Sequence, residues 1–335
     1  MQTLQDAVDA IAQDTGFSGV VRVDSSGGVE LAQAYGLADR AHSIPNATDT
    51  RFAIASGMKG FTALTVVSLI EDGTLDLTTT ARSVLGNDLP LIDDGVTVEH
   101  LLAHRSGIGD YLDEETHADV TDYVMPISVH ELATTEQYLA VLGGHATVSP
   151  PGERFAYCNG GFIVLALIAE RTSGVEFHEL VRQRVCRPAA MSHTEFLRSD
   201  ELPGDAALGY LTDDSARTNV FHIPVIGGGD GGIYSTVEDL RVFWVALFAG
   251  QIVPERWVAE VVRPRSDVPD EEKRYGLGFW LHASSDVVML EGYDAGVSFR
   301  TMHDPVSGAG ATVIANTSEG AWPFVELLEQ QLATN

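Results

Sequence analysis

An α+β fold is predicted for this chain: an antiparallel sheet assembled from both ends of the sequence, flanked by helices, with a mainly helical region inserted between them. Three observations carry the prediction. Strand-like runs lie near both ends, helical signals dominate from residue 56 to about 225, and 44% of the 335 residues are hydrophobic, enough to bury a sizeable core. On this reading residues 1–61 and 226–335 form the sheet-bearing domain and residues 62–225 the helical one, with the functional cleft between them.

Each element rests on a local signal. Leu4, Val8 and Ile11 recur at helical spacing. Two β-like runs follow at 19–24 and 29–35, joined by the turn Ser25-Ser26-Gly27-Gly28, which reads as a hairpin. Phe61, Leu64, Val67, Leu69 and Ile70 give the apolar density of a buried helix, stopped at Gly73. Further helices are expected at 97–102, 137–142, 160–171, 177–185, 237–248 and 256–262. Strand-like runs return at 276–281, 287–290, 297–302 and 311–315, before a final helix from about Gly320.

Composition limits the function classes. A formal charge of -28, from 20 basic and 48 acidic residues, argues against nucleic acid and against anionic membrane surfaces as partners. The first residues, Met1 to Asp6, show neither a basic nor an apolar leader region, and no apolar run reaches membrane-spanning length, so a soluble, cytoplasmic protein is expected. Cys158 and Cys186 could in principle pair, but two cysteines in a chain this long read as reduced thiols.

Ser56-Gly57-Met58-Lys59 places a hydroxyl and an amine one helical turn apart at the head of an apolar helix. The chain has only two lysines, Lys59 and Lys273, which makes the spacing informative. Burial disfavours an ammonium, so Lys59 is suited to take the Ser56 proton and leave a nucleophile. A second group, Tyr157-Cys158-Asn159, follows the Pro150-Pro151-Gly152 turn at a helix entrance. A phenol there can shuttle a proton, and an amide can both donate to and accept from a substrate. By itself this pair also fits a packing tyrosine before an asparagine cap.

Together these segments resemble the serine β-lactamase and penicillin-binding protein superfamily, whose S-x-x-K motif they share. Thr97 to Tyr111, with Leu101-Leu102-Ala103-His104-Arg105-Ser106-Gly107, then Pro151 to Tyr157, Arg187 to Met191, Gly231 to Thr236 and Tyr275 to Phe279 are similar, in order, to segments of its class C-like branch. That branch holds class C β-lactamases, D-alanyl-D-alanine carboxypeptidases, D-aminopeptidases and family VIII esterases. The resemblance spans about residues 15–320 and implies a serine hydrolase that needs no cofactor or metal. It implies Ser56 as nucleophile, Lys59 as its basic partner, Tyr157 as general base and Asn159 as a holder of the substrate acyl group. The Ser56 N–H would form half of an oxyanion hole, and the edge strand carrying a third motif would supply the rest. Spacing to Ala295-Gly296-Val297 puts that motif at Leu290-Glu291-Gly292, with Tyr293 as donor.

The family usually has Lys-Thr-Gly or His-Thr-Gly there. Glu291 in its place is expected to repel anionic substrates and to shift the reading from β-lactamase or carboxypeptidase towards an esterase or aminopeptidase acting on a small ester or amide. A ligand-binding or sensor protein that does not turn over is the alternative of another class. Other signals are weaker. His100 and His104 stand at i, i+4, but no carboxylate completes a metal motif. The glycine-rich run from Gly227 to Gly232 lacks phosphate-loop context and reads as a flexible loop beside the site. Cys158 has no sequence-neighbouring histidine and reads as a small packing residue.

Overall fold

The computed structural model describes residues 3–112 and 120–334. Its first helix, α1 (Leu4–Thr15), opens on a reciprocal cap: Asp6 N–H donates to Thr3 Oγ1 at 3.1 Å, and Thr3 N–H donates to the Asp6 carboxylate at 3.0 Å. The predicted hairpin follows as β1 (Gly19–Ser25) and β2 (Gly28–Tyr35). Two short pairs come next in sequence, β3 (Leu37–Asp39) with β4 (Ile44–Pro45), and β5 (Phe52–Ala53) with β6 (Tyr234–Ser235). The main sheet is completed by β7 (Ser266–Val268), β8 (Lys273–Tyr275), β9 (Trp280–His282), β10 (Val288–Asp294), β11 (Val297–His303) and β12 (Gly310–Ala315).

The eight strands run β2-β1-β12-β11-β10-β9-β8-β7, every neighbouring pair antiparallel. Val20 stands opposite Ile314, so the first and last strands of the chain meet inside the sheet, as the sequence predicts. One expected strand is corrected. Residues 276–281 hold a turn, closed by Gly276 N–H to Phe279 O at 2.9 Å with Gly278 at φ 83°, and only Trp280 onwards is extended. β7 and β8, three residues each, are too short to give a periodicity. The expected edge position of β10 is also half right. β9 pairs with it at Val288 and Met289 alone, and from Leu290 onward that side of β10 lies against the turn Ala55–Gly57.

The remaining helices are α2 (Met58–Glu71), α3 (Ala81–Leu85), α4 (Val98–Leu102), α5 (Leu139–Leu142), α6 (Asn159–Ser173), α7 (Phe177–Val181), α8 (Val237–Phe248), α9 (Glu255–Val261) and α10 (Val325–Thr334). The helix expected at 177–185 ends early, because residues Arg182–Cys186 form a π turn. α2 is apolar on all sides and buried from Met58 through Leu69, which suits a helix enclosed by other elements. Gly60 faces Leu290 of β10, Phe61 stacks on Phe243 of α8 at 4.8 Å, and α6 packs on α2 from the helical side. The head of α2 is therefore fixed by both the sheet and the helices. Among the described residues no helix is long and apolar enough to cross a membrane.

Candidate active site

Ser56 lies in the tight turn Ala55–Gly57 that feeds α2. Ala55 is held at φ 42°, a left-handed conformation costly for a residue with a Cβ, so the turn is imposed by its surroundings. Lys59, one turn on and only 2% exposed, brings Nζ to 2.8 Å from Ser56 Oγ. It also reaches Asn159 Oδ1 at 2.8 Å and the Asp230 backbone carbonyl at 2.9 Å. An ammonium has three hydrogens, and these are three acceptors. The spacing read from the sequence thus becomes a fixed hydroxyl–amine pair.

Asn159 comes from the first position of α6. Its own N-cap, Cys158, makes no side-chain cap, and the helix is capped from 49 residues away: Asp110 accepts Asn159 N–H at 2.6 Å and Gly160 N–H at 2.8 Å. Tyr157 sits just before, its ring centroid 4.9 Å from Lys59 Nζ, stacked on Trp280 at 6.1 Å and 11° and against His104 at 4.3 Å. His104 is wholly enclosed; burial, then the Lys59 charge, push its imidazole well below the ordinary range, and its Nδ1 accepts the Cys158 N–H at 3.1 Å. A neutral histidine thus fixes the backbone between Tyr157 and Asn159.

Gly292 is placed where the third motif was expected. A Cβ there would lie 2.2 Å from Ile54 O and 2.8 Å from Ser56 N, so β10 passes the nucleophile at a distance only glycine permits. Tyr293 follows it at the cleft wall, its hydroxyl turned away to donate to Glu319 Oε1 at 3.0 Å. Glu291 requires a correction. Strand alternation that turns Leu290 and Gly292 towards the α2 side turns Glu291 the other way. Its carboxylate accepts from Lys273 Nζ at 2.8 and 2.9 Å and from Arg300 at 2.6 Å, and it is absent from the cleft lining. Burial pushes the Glu291 carboxyl up, but Lys273 and Arg300 outweigh it and hold it below its ordinary value.

Glu291 is therefore structural, and Glu291→Thr is expected to cost about 1–2 kcal/mol of stability, because Lys273 and Arg300, each side chain only 10% exposed, lose their shared partner and keep only Glu271 at 3.5 Å and Glu329 at 3.0 Å. A depressed carboxyl contributes its stability above the ordinary value of 4.5 and loses it as pH falls through the lower folded-state value. The stability gap between native protein and variant should accordingly narrow below pH 4.5. Denaturant melts from pH 7 to 3 check this, and a gap that widens on acidification contradicts it.

The cleft beside Ser56, counted with the open space at its mouth, spans about 650 Å³. Leu112, Leu197, Ile223 and Val297 make its apolar wall, Asp230 and Asp294 add carboxylates, and none of the described residues lining it is cationic. Burial pushes the Asp230 carboxyl up, offset in part by Lys59 and by the Tyr111 hydroxyl that donates to it at 2.5 Å. Burial also pushes Asp110 up, to about 6, despite its bonds to the α6 amides. Sequence reading missed Asp110, Tyr111 and Asp230. Their only signal was position: two inside a family-like segment, one inside the glycine run.

That glycine run does border the site, as expected, but it is a packed wall. Thr62 Oγ1 donates to Gly229 O at 2.5 Å, and Asp230 O receives Lys59. His100 and His104 part company: His100 Nδ1 accepts the Thr97 N–H in a helix cap while His104 is buried under Tyr157. No cluster able to hold a metal occurs among the described residues. Cys158 and Cys186 are both buried and unbridged; burial raises the Cys158 thiol well above its usual range and Cys186 to about 12.

The sequence profile described as Beta-lactamase matches residues 4–335. The chain belongs to the beta-lactamase family. Its structure superposes with a TM-score of 0.90 on a penicillin-binding protein from Bacillus halodurans, 36% identical, covering 97% of this chain and 99% of that one. It is 26% identical over 309 residues to penicillin-binding protein 4* of Bacillus subtilis (strain 168), covering 88% of this chain and 66% of that one. It is 28% identical over 269 residues to a D-aminopeptidase of Brucella anthropi, covering 80% and 49%. The chain thus spans about half to two thirds of the length of these two curated relatives. The beta-lactamase family membership agrees with the motifs, and the fold agrees with the α+β arrangement they implied.

Proposed function

We propose that this protein is a serine hydrolase that cleaves a small neutral or cationic ester or amide through an acyl-enzyme on Ser56. The observation that carries the reading is the Lys59 ammonium held between Ser56 Oγ, Asn159 Oδ1 and Asp230 O. With the amine neutral, the same geometry lets Ser56 Oγ–H donate to Nζ. The proton leaves Ser56 for the Lys59–Tyr157 pair as Oγ attacks the carbonyl carbon. The Ser56 and Tyr293 N–H groups hold the oxyanion, and the proton passes to the leaving alcohol or amine. Water then attacks the acyl-enzyme with the same groups taking its proton, releasing the acid. Lys59→Ala and Tyr157→Phe should each lower kcat on the order of a hundredfold or more. Near-normal turnover in either variant removes that residue from the mechanism.

The lining supports the substrate class. Asp230 and Asp294 stand on the cleft wall, and the cation beside Ser56, Lys59, is engaged by Ser56 Oγ, Asn159 Oδ1 and Asp230 O, so the lining disfavours the carboxylate of a β-lactam or a peptide C-terminus. The activities carried in the names of relatives, D-aminopeptidase among them, fit this lining better than β-lactam turnover does. The test is kcat/KM for a short-chain p-nitrophenyl ester, a D-amino acid amide and nitrocefin. The ester or the amide should exceed nitrocefin by at least tenfold, about what one like-charge contact supplies after screening. Efficient nitrocefin hydrolysis overturns the substrate class, and a stoichiometric burst without turnover on all three overturns the hydrolase reading in favour of an acylating sensor.

A further inference from the structure

Three consecutive residues, Asp110 to Leu112, support two of the groups that receive Lys59, Asn159 and Asp230. Asp110 accepts the Asn159 and Gly160 N–H groups at 2.6 and 2.8 Å, and so fixes the first turn of α6. Tyr111 donates its hydroxyl to the Asp230 carboxylate at 2.5 Å, on the residue whose carbonyl receives Lys59 Nζ. Leu112 O accepts Asn159 Nδ2 at 3.2 Å, which turns the other end of that amide, Oδ1, towards Lys59. Asp110 also accepts the Tyr111 N–H at 2.8 Å, so the segment is braced on itself.

We infer that Asp110 is the positioning residue of this active site, acting through Asn159 to hold the Lys59 amine in line with Ser56. Cys158, at the N-cap, makes no side-chain cap, and Asp110 is the residue that accepts both leading amides of the helix. An uncapped first turn frays, and Asn159 is the first residue of that turn. Its Oδ1 receives Lys59 Nζ alongside Ser56 Oγ and Asp230 O, so a shift of the turn unbalances the amine and moves it relative to Oγ. A misplacement of about 1 Å in such a group is enough to cost up to a hundredfold in rate. Asp110 is half-buried beside Asn159 and is not among the residues lining the cleft, so its route to the reaction runs through Asn159.

The inference rests on the proposed roles of Lys59 and Asn159, and the experiment separates the two. Native protein, Asp110→Asn, Asn159→Ala and the double variant are compared with a p-nitrophenyl ester, well below the melting temperature of each. Asp110→Asn keeps size but puts an amide where two N–H donors converge. Expected are a kcat lower by roughly tenfold to a hundredfold with KM within twofold, and a slowed rate of fluorophosphonate labelling at Ser56. In the Asn159→Ala background the same substitution should cost less than twofold, because its route to Lys59 is already cut. Costs that multiply in the double variant, or a KM change without a kcat change, overturn the inference. If Asn159→Ala alone leaves kcat intact, the site assignment fails and this inference with it. Should Asp110→Asn not fold, Asp110→Glu carries the same cycle, keeping the charge but displacing the acceptors by one methylene, with the same expected coupling and the same overturning results.

Discussion

Replacing Ser56 with alanine should lower turnover by about 10⁴-fold or more and abolish covalent labelling by a fluorophosphonate, while leaving the melting temperature within a few degrees of native. The size of the effect follows from the chemistry: Ser56 Oγ, on the cleft wall and 2.8 Å from the Lys59 amine, is the attacking atom, and without it no acyl-enzyme forms. The small effect on stability follows from position. The side chain sits in a turn that opens on the cleft, and the core of α2 is made by Met58, Phe61 and Leu64 rather than by Ser56. Mass spectrometry of the labelled native protein should find one adduct, on the peptide carrying Ser56. Labelling of a different serine, or retention of more than a few per cent of turnover in the variant, would exclude Ser56 as nucleophile.

Gly292→Ala is expected to lower kcat by on the order of 10²- to 10³-fold, the range for loss of one oxyanion donor. The added methyl would stand 2.2 Å from Ile54 O and 2.8 Å from Ser56 N. Both are main-chain atoms that cannot rotate aside, so β10 must retreat from the turn before α2 and carry the Tyr293 amide with it. Overpacking of this kind costs about 1–3 kcal/mol as well. Gly204→Ala is the control, since a Cβ there meets nothing within 4 Å. Comparable activity in the two alanine variants, within threefold, would separate β10 from the oxyanion hole.

The sequence was most readable where function compresses into short spacing. Ser56 and Lys59 are three apart on one helix face, and the Pro-Pro-Gly turn announces the entrance of α6, so the pairing across 100 residues needed only the resemblance to bring it together. Strand ends were readable wherever no glycine intervened. The run 276–281 misled because a turn built on Gly276 and Gly278 keeps the apolar composition of a strand. Glu291 misled for a different reason: alternation fixes that neighbours on a strand face opposite ways but not which way the cleft lies, and Lys273 and Arg300 claim the carboxylate from strands far away in sequence. Asp110 and Asp230 act through backbone groups, as acceptor of amides and as a carbonyl, and such roles leave no residue pattern to read.

The meeting of β1 with β12 sets the order in which this molecule can become active during synthesis. Ser56 and Lys59 leave the ribosome early, yet the turn that carries Ser56 leans on β10 and β11, and those strands are held in a sheet whose centre joins Val20 to Ile314. The first hairpin must wait, with one edge unsatisfied, until the last strand has emerged, and closing so distant a pairing is slow. Hydrolytic competence should thus arrive late and abruptly: nascent chains halted before Gly310 carry every catalytic side chain and remain inert.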